Sequence, residues 1–105
     1  MKKSVNILDQ VKQIIIDKEP TAKIYLYGSR AHGTSKKDSD WDLLILVNED
    51  HITYELEKKL TDSIYDLEFD TGEVISPMIY SEKEWNSKYS ITPFYHSVMK
   101  DAKPL

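Results

Sequence analysis

Apolar residues near the start of the chain recur at helical spacing. Leu8, Val11 and Ile15 fall on one face, Ile7 and Ile14 flank them, Ser4 stands where an N-cap is needed, and Lys18 and Pro20 close the segment. The period then changes. Residues 22–27 are rich in β-branched and aromatic side chains and run straight into Gly28, which predicts a strand delivering a glycine turn, with a short helical turn over 29–34 ended by Gly33. Residues 36–40 are polar and loop-like, whereas 42–47 become continuously apolar, as in a strand covered on both faces and central in its sheet. Leu56, Leu60, Ile64 and Leu67, spaced by four, four and three, predict a second helix over 52–67, broken by Asp70-Thr71-Gly72. Residues 73–80 read as a third strand, which Pro77 assigns to an edge or a bulge. Ser81 with Glu84 forms a capping-box pattern for a short helix through Trp85. Beyond Pro93, the residues Tyr95, Val98 and Met99 share one face of a last amphipathic segment that packs on the chain's own sheet. This order specifies an α/β (α+β) fold, a small mixed β-sheet backed by helices, in a single domain over 1–105.

Composition narrows the function. With 40% hydrophobic and 30% charged residues the 105-residue chain is of the globular class. The longest aliphatic run, 43–47, is far too short to cross a bilayer, and the N-terminus has no apolar signal region, so a cytoplasmic protein without a membrane partner is expected. The sequence has no cysteine, which removes disulfides, thiolate zinc sites and Cys nucleophiles together. Any metal must then take oxygen or imidazole ligands. A formal charge of −4 offers no overall basic surface, so a nucleotide or a protein is expected as the target and long nucleic acid is not.

The chemistry concentrates between the first two predicted strands. Gly28 directly after a strand lets the backbone turn sharply and approach a ligand closely. If Ser29 opens a helical turn, its free amides point at incoming phosphate and the hydroxyl adds a donor. Arg30 is within reach of phosphate, although a surface arginine on the turn explains it equally well. Asp40 and Asp42 stand two residues apart at a strand entry, so their side chains share a face. At about 4 Å and an effective dielectric of 20, two such carboxylates repel by roughly 4 kcal/mol. A magnesium ion between them reverses that cost, and magnesium favours one or two carboxylates plus phosphate oxygens over an all-protein cage. An isolated Asp-x-Asp is more often a solvated turn; a buried strand after it and a strand-glycine-serine turn before it favour the metal site.

Gly28-Ser29-Arg30 followed by Asp38-Ser39-Asp40-Trp41-Asp42-Leu43 resembles the signature of the polymerase-β-like nucleotidyltransferase superfamily, and most closely its minimal, stand-alone domains. The signature covers 28–47, and the flanking element order resembles the family over most of the chain. The resemblance implies that Gly28 and Ser29 bind the β- and γ-phosphates, with Arg30 beside them. It also implies that Asp40 and Asp42 are catalytic and carry Mg²⁺, one ion or two, for attack of a hydroxyl on the α-phosphate of a nucleoside triphosphate such as ATP. Minimal domains of this kind are often found beside a helical partner of the HEPN type, as antitoxins that can adenylylate it. Self-association is the other way to complete so small a site.

One part of the pattern is missing. The family places a third carboxylate on the strand after the second helix, where this chain offers Ser76 or Met78. Of the nearby acids Glu68, Asp70 and Glu73, the last is preferred because it opens the predicted strand, yet alternation sets it opposite to Ser76 unless Pro77 marks a bulge. The alternative expectation is therefore a nucleotide-binding or interaction module, antitoxin-like and catalytically impaired. Two rival motifs fail. A Walker A loop over 28–35 has Thr34 in its lysine position, and an EF-hand over Asp38, Asp40, Asp42 and Glu49 has Leu43 where glycine is required. His32, His51 and His96 lack metal-ligand spacing. Tyr25, Tyr27, Trp85, Phe94 and Tyr95 read as core rather than as a base-stacking platform.

Overall fold

A computed structural model describes residues 6–34 and 39–105; Ser4, and the loop positions 35–38 with Asp38, lie outside the described residues. Helix α1 (Ile7–Lys18) opens at Asn6, whose side-chain oxygen accepts the Leu8 amide hydrogen at 2.7 Å. Strand β1 (Lys23–Tyr27) follows, then the one-turn helix α2 (Ser29–His32) and strand β2 (Trp41–Val47).

Helix α3 (Tyr54–Thr71) begins and ends later than the 52–67 expected from its apolar spacing. Its start is fixed by the Thr53 hydroxyl, which accepts the Leu56 amide hydrogen at 3.1 Å. Its end waits for Gly72, the first residue able to adopt φ +77° without strain, so Asp70 and Thr71 remain helical. Strand β3 (Ile75–Ser81) likewise begins two residues after the expected 73. The backbone of Glu73 is still part of the helix exit, its amide donating to Thr71 Oγ1 at 3.2 Å. Helices α4 (Glu82–Ser87) and α5 (Pro93–Asp101) come next, and the two-residue strand β4 (Lys103–Pro104) closes the order. A strand of two residues that includes a proline has no periodicity to read, and β4 was not foreseen.

The sheet order is β3-β2-β1-β4. β1 pairs antiparallel with β2 and with β4, whereas β2 and β3 run parallel, connected by the α3 crossover. Pro77 sits on the edge strand β3, as its missing N–H requires, and the register is unbroken from Trp41 opposite Ile75 to Val47 opposite Ser81, so there is no bulge.

Alternation along β2 explains its apolar run. Leu43, Ile45 and Val47 face α1 and α3, meeting Val11, Ile15, Leu60 and Ile64, while Leu44 and Leu46 face α4 and α5, meeting Trp85 and Val98. Each fully buried aliphatic side chain of this kind contributes about 1.5–3 kcal/mol. On the α4–α5 face Tyr25, Tyr27, Trp85 and Tyr95 belong to the core, as expected, the Trp85 ring lying 5.0 Å from those of both Tyr80 and Tyr95, whereas Phe94, in the first turn of α5, is 44% exposed and meets Trp85 only edge-on. Ser81 is fully buried and satisfied, donating to the Glu49 carbonyl at 2.6 Å and accepting the Glu84 amide hydrogen at 3.2 Å. Only that half of the capping box forms, since the Glu84 carboxylate turns to His51 at 3.3 Å.

Candidate active site

β1 ends against a corner. Gly28 takes φ +76° and ψ −156°, a conformation costly for any residue with a Cβ, and its carbonyl accepts the Ala31 and His32 amide hydrogens at 3.0 and 3.1 Å. Those bonds wind α2 into a single turn whose first residue is Ser29. The turn ends at Gly33, and His32 Nε2 stands 2.8 Å from Asp101 Oδ2, tying the turn to the end of α5.

Asp42 lies directly across the β1–β2 ladder from Tyr27, the residue before this corner. A Cβ added to Gly28 would meet Asp42 Oδ2 at 2.5 Å, so the glycine is what lets the carboxylate lie against the turn. On its other side Asp42 is in register with Ser76 of β3. Asp40, one residue ahead of β2, accepts the Ser76 hydroxyl hydrogen at its Oδ2, 3.1 Å away. The two aspartates therefore converge on one end of the sheet face that α4 and α5 cover further along.

The electrostatics of the pair are unfavourable as it stands. Partial burial pushes the Asp42 carboxyl above its ordinary range, and the neighbouring Asp40 charge pushes it further. Among the described residues neither aspartate has an ion-pair partner, and no third histidine or carboxylate joins them. Two carboxylates without an ion-pair partner among the described residues, beside a glycine corner, are a donor set that suits Mg²⁺ carried on a polyphosphate. Tyr27 walls the same site; burial first, then the charges of Asp42 and Tyr80, raise its phenol to about 12, so it is protonated at neutral pH. Tyr27 also packs against the Leu44–Trp85 core, as the sequence predicts.

The other sequence candidates make contacts of their own. Arg30 donates from Nε and Nη2 to the Ser39 carbonyl at 3.2 and 2.7 Å, and its guanidinium lies 4.0 Å from the Trp41 ring centroid. It thus holds the root of the segment that carries Asp40. Glu73 accepts the Trp41 indole N–H at 2.8 Å, and Trp41 packs on the α1–α3 side of the sheet, so Glu73 is not brought to the aspartates. Glu68 accepts the Ile75 amide hydrogen at 2.8 Å. The position beside Asp42 belongs to Ser76.

The chain belongs to the nucleotidyltransferase domain family, whose model matches residues 8–98. A comparison with curated proteins gave no match. Among solved structures, the chain resembles a toxin–antitoxin complex crystallised with AMP-PNP at 20% identity and TM-score 0.65, over 95% of this chain and 72% of that one. It is also similar to a mutant of the toxin–antitoxin MntA–HpeT at 20% identity and TM-score 0.62, over 97% and 72%. A protein provisionally described as a minimal nucleotidyltransferase matches at 21% identity and TM-score 0.59, over 99% and 100%. At these identities the likeness establishes the mixed four-stranded nucleotidyltransferase fold. No helix among the described residues is long and apolar enough to cross a membrane.

Proposed function

We propose that this protein is a Mg²⁺-dependent nucleotidyltransferase that moves a nucleotidyl group, AMP from ATP, onto a hydroxyl acceptor. The observation that carries the reading is the Asp40–Asp42 pair, unpaired by any cation among the described residues and set against the glycine corner. Gly28 and the Ser29 hydroxyl take the β- and γ-phosphates, and Asp40 and Asp42 hold the cation. When bound, magnesium supplies charge neutralisation between carboxylates and triphosphate and stabilises the attacking and leaving oxygens. The chain itself supplies position: Ser76 orients Asp40, Arg30 anchors the backbone before it, and Tyr27 presents a neutral wall. A bond forms from the acceptor oxygen to the α-phosphorus, the bond to the β-phosphate bridge breaks, and pyrophosphate leaves.

With serine in the place of a third carboxylate, general-base help from the described residues at this site would come from the two aspartates that would also hold the cation. That observation favours a second reading, a nucleotide-binding module with impaired catalysis. The toxin–antitoxin complexes among its structural neighbours, one of them with AMP-PNP, support a partner protein for this chain, of HEPN type, as acceptor or as antitoxin target. Another such complex carries two aspartate-to-glutamate changes two positions apart, the spacing of Asp40 and Asp42. Labelled ATP with Mg²⁺ and candidate acceptors tests the proposal. Transfer that Asp40→Ala abolishes supports the enzyme; saturable nucleotide binding with no transfer to any acceptor supports the module.

A further inference from the structure

The outward side of α3 carries aromatic rings where a solvated helix carries polar groups. Tyr54, Tyr65 and Phe69 are 72%, 61% and 91% exposed. Tyr65 and Phe69 are one helical turn apart and Tyr54 lies on the same face three turns before Tyr65, with the exposed Lys58–Asp62 pair between them, opposite to the Leu60, Ile64 and Leu67 side that enters the core. Scattered exposed apolar residues need no explanation, but an aligned stripe of rings does.

The charge around the stripe is equally one-sided. α3 contains six carboxylates and two lysines, a formal −4, which equals the net charge of the whole sequence, so the rest of the chain balances to zero. Both lysines are occupied: Lys58 binds Asp62 at 2.6 Å and Lys59 reaches Glu19 at 4.0 Å. Glu55 and Asp66 on one flank and Glu57 on the other are exposed and form no ion pair among the described residues.

We infer that the outer face of α3 docks a basic amphipathic helix of a partner protein, whose apolar residues cover the rings and whose lysines or arginines meet the flanking acids and the ring faces. A second copy packed face to face would bring two helices of charge −4 together, and an anionic membrane would be repelled by the same charge. α3 covers the Leu43–Ile45 side of the sheet, away from Asp40 and Asp42, so the docked partner leaves the carboxylates accessible. The inference goes beyond the catalytic reading and does not depend on it.

The test titrates the isotopically labelled full chain with a helical Leu/Lys amphipathic peptide, an acidic Leu/Glu counterpart, and phosphatidylcholine vesicles, following amide shifts. The expected result is a salt-sensitive response to the basic peptide alone, confined to α3, with affinity about tenfold lower in the Tyr65→Ala/Phe69→Ala double variant. Circular dichroism of that variant should be unchanged, because both rings lie outside the core. Shifts centred elsewhere, undiminished affinity in the variant, self-association through the stripe, or preference for vesicles would each overturn the inference.

Discussion

Gly28 and Asp42 are in such close contact that no side chain fits between them: a Cβ on the glycine would lie 2.5 Å from Asp42 Oδ2. Because Gly28 also requires φ +76°, two independent constraints fall on one residue. Gly28→Ala is expected to destabilise the protein by about 1–3 kcal/mol from the backbone alone, measured by urea unfolding. It should also abolish nucleotide binding in calorimetry, since the displaced Asp42 carboxylate no longer lies against the turn.

The Asp42 carboxyl titrates above its ordinary 3.8, chiefly through burial and then through Asp40. A carboxyl whose folded pKa is raised contributes stability while protonated; the contribution is complete below the unfolded value and is lost as pH rises through the folded one. Metal-free protein should accordingly lose stability across that interval relative to Asp42→Asn, and the variant should be the more stable of the two at pH 7. Added Mg²⁺ should stabilise the parent and leave Asp42→Asn nearly unaffected. Urea midpoints against pH, with and without Mg²⁺, check both statements.

Ser76 occupies the register position beside Asp42 and hydrogen-bonds Asp40. If a missing base limits transfer, Ser76→Asp should raise the transfer rate by about a hundredfold at neutral pH with Mg²⁺ present. The same change should lower the stability of the metal-free protein by adding a third like charge. A single-turnover rate with labelled ATP and an accepted substrate measures the first effect, and a urea midpoint the second.

Arg30 is held by the Ser39 carbonyl and stacks on Trp41. Arg30→Ala should cost roughly 1 kcal/mol of stability and weaken nucleotide binding indirectly, through a looser Asp40. Arg30→Lys should fail to restore either, because an ammonium cannot donate twice in plane while lying over the indole. Urea unfolding and nucleotide titration of the two variants report the outcome.

Much of the fold and of the site is legible in the sequence. The strand-glycine-serine turn and the spacing of Asp40 and Asp42 are local signals, and period-2 alternation correctly set Ser76 rather than Glu73 on the aspartate side. Helix ends were misjudged where caps, not apolar spacing, decide them, as at Thr53 and Gly72. Strand β4 escaped because two residues have no period, and the Arg30–Trp41 and His32–Asp101 contacts because they join segments distant in sequence. The aromatic stripe on α3 was present in the spacing of Tyr54, Tyr65 and Phe69, but its significance depends on their exposure.

Calorimetric titration of the protein with AMP-PNP, in Mg²⁺ and in EDTA, tests the central claim most directly. The parent should bind saturably with Mg²⁺ and at least about tenfold more weakly without it, and Asp40→Ala/Asp42→Ala should bind equally weakly in both. Affinity that is the same in parent and double variant, with and without the cation, would contradict the account.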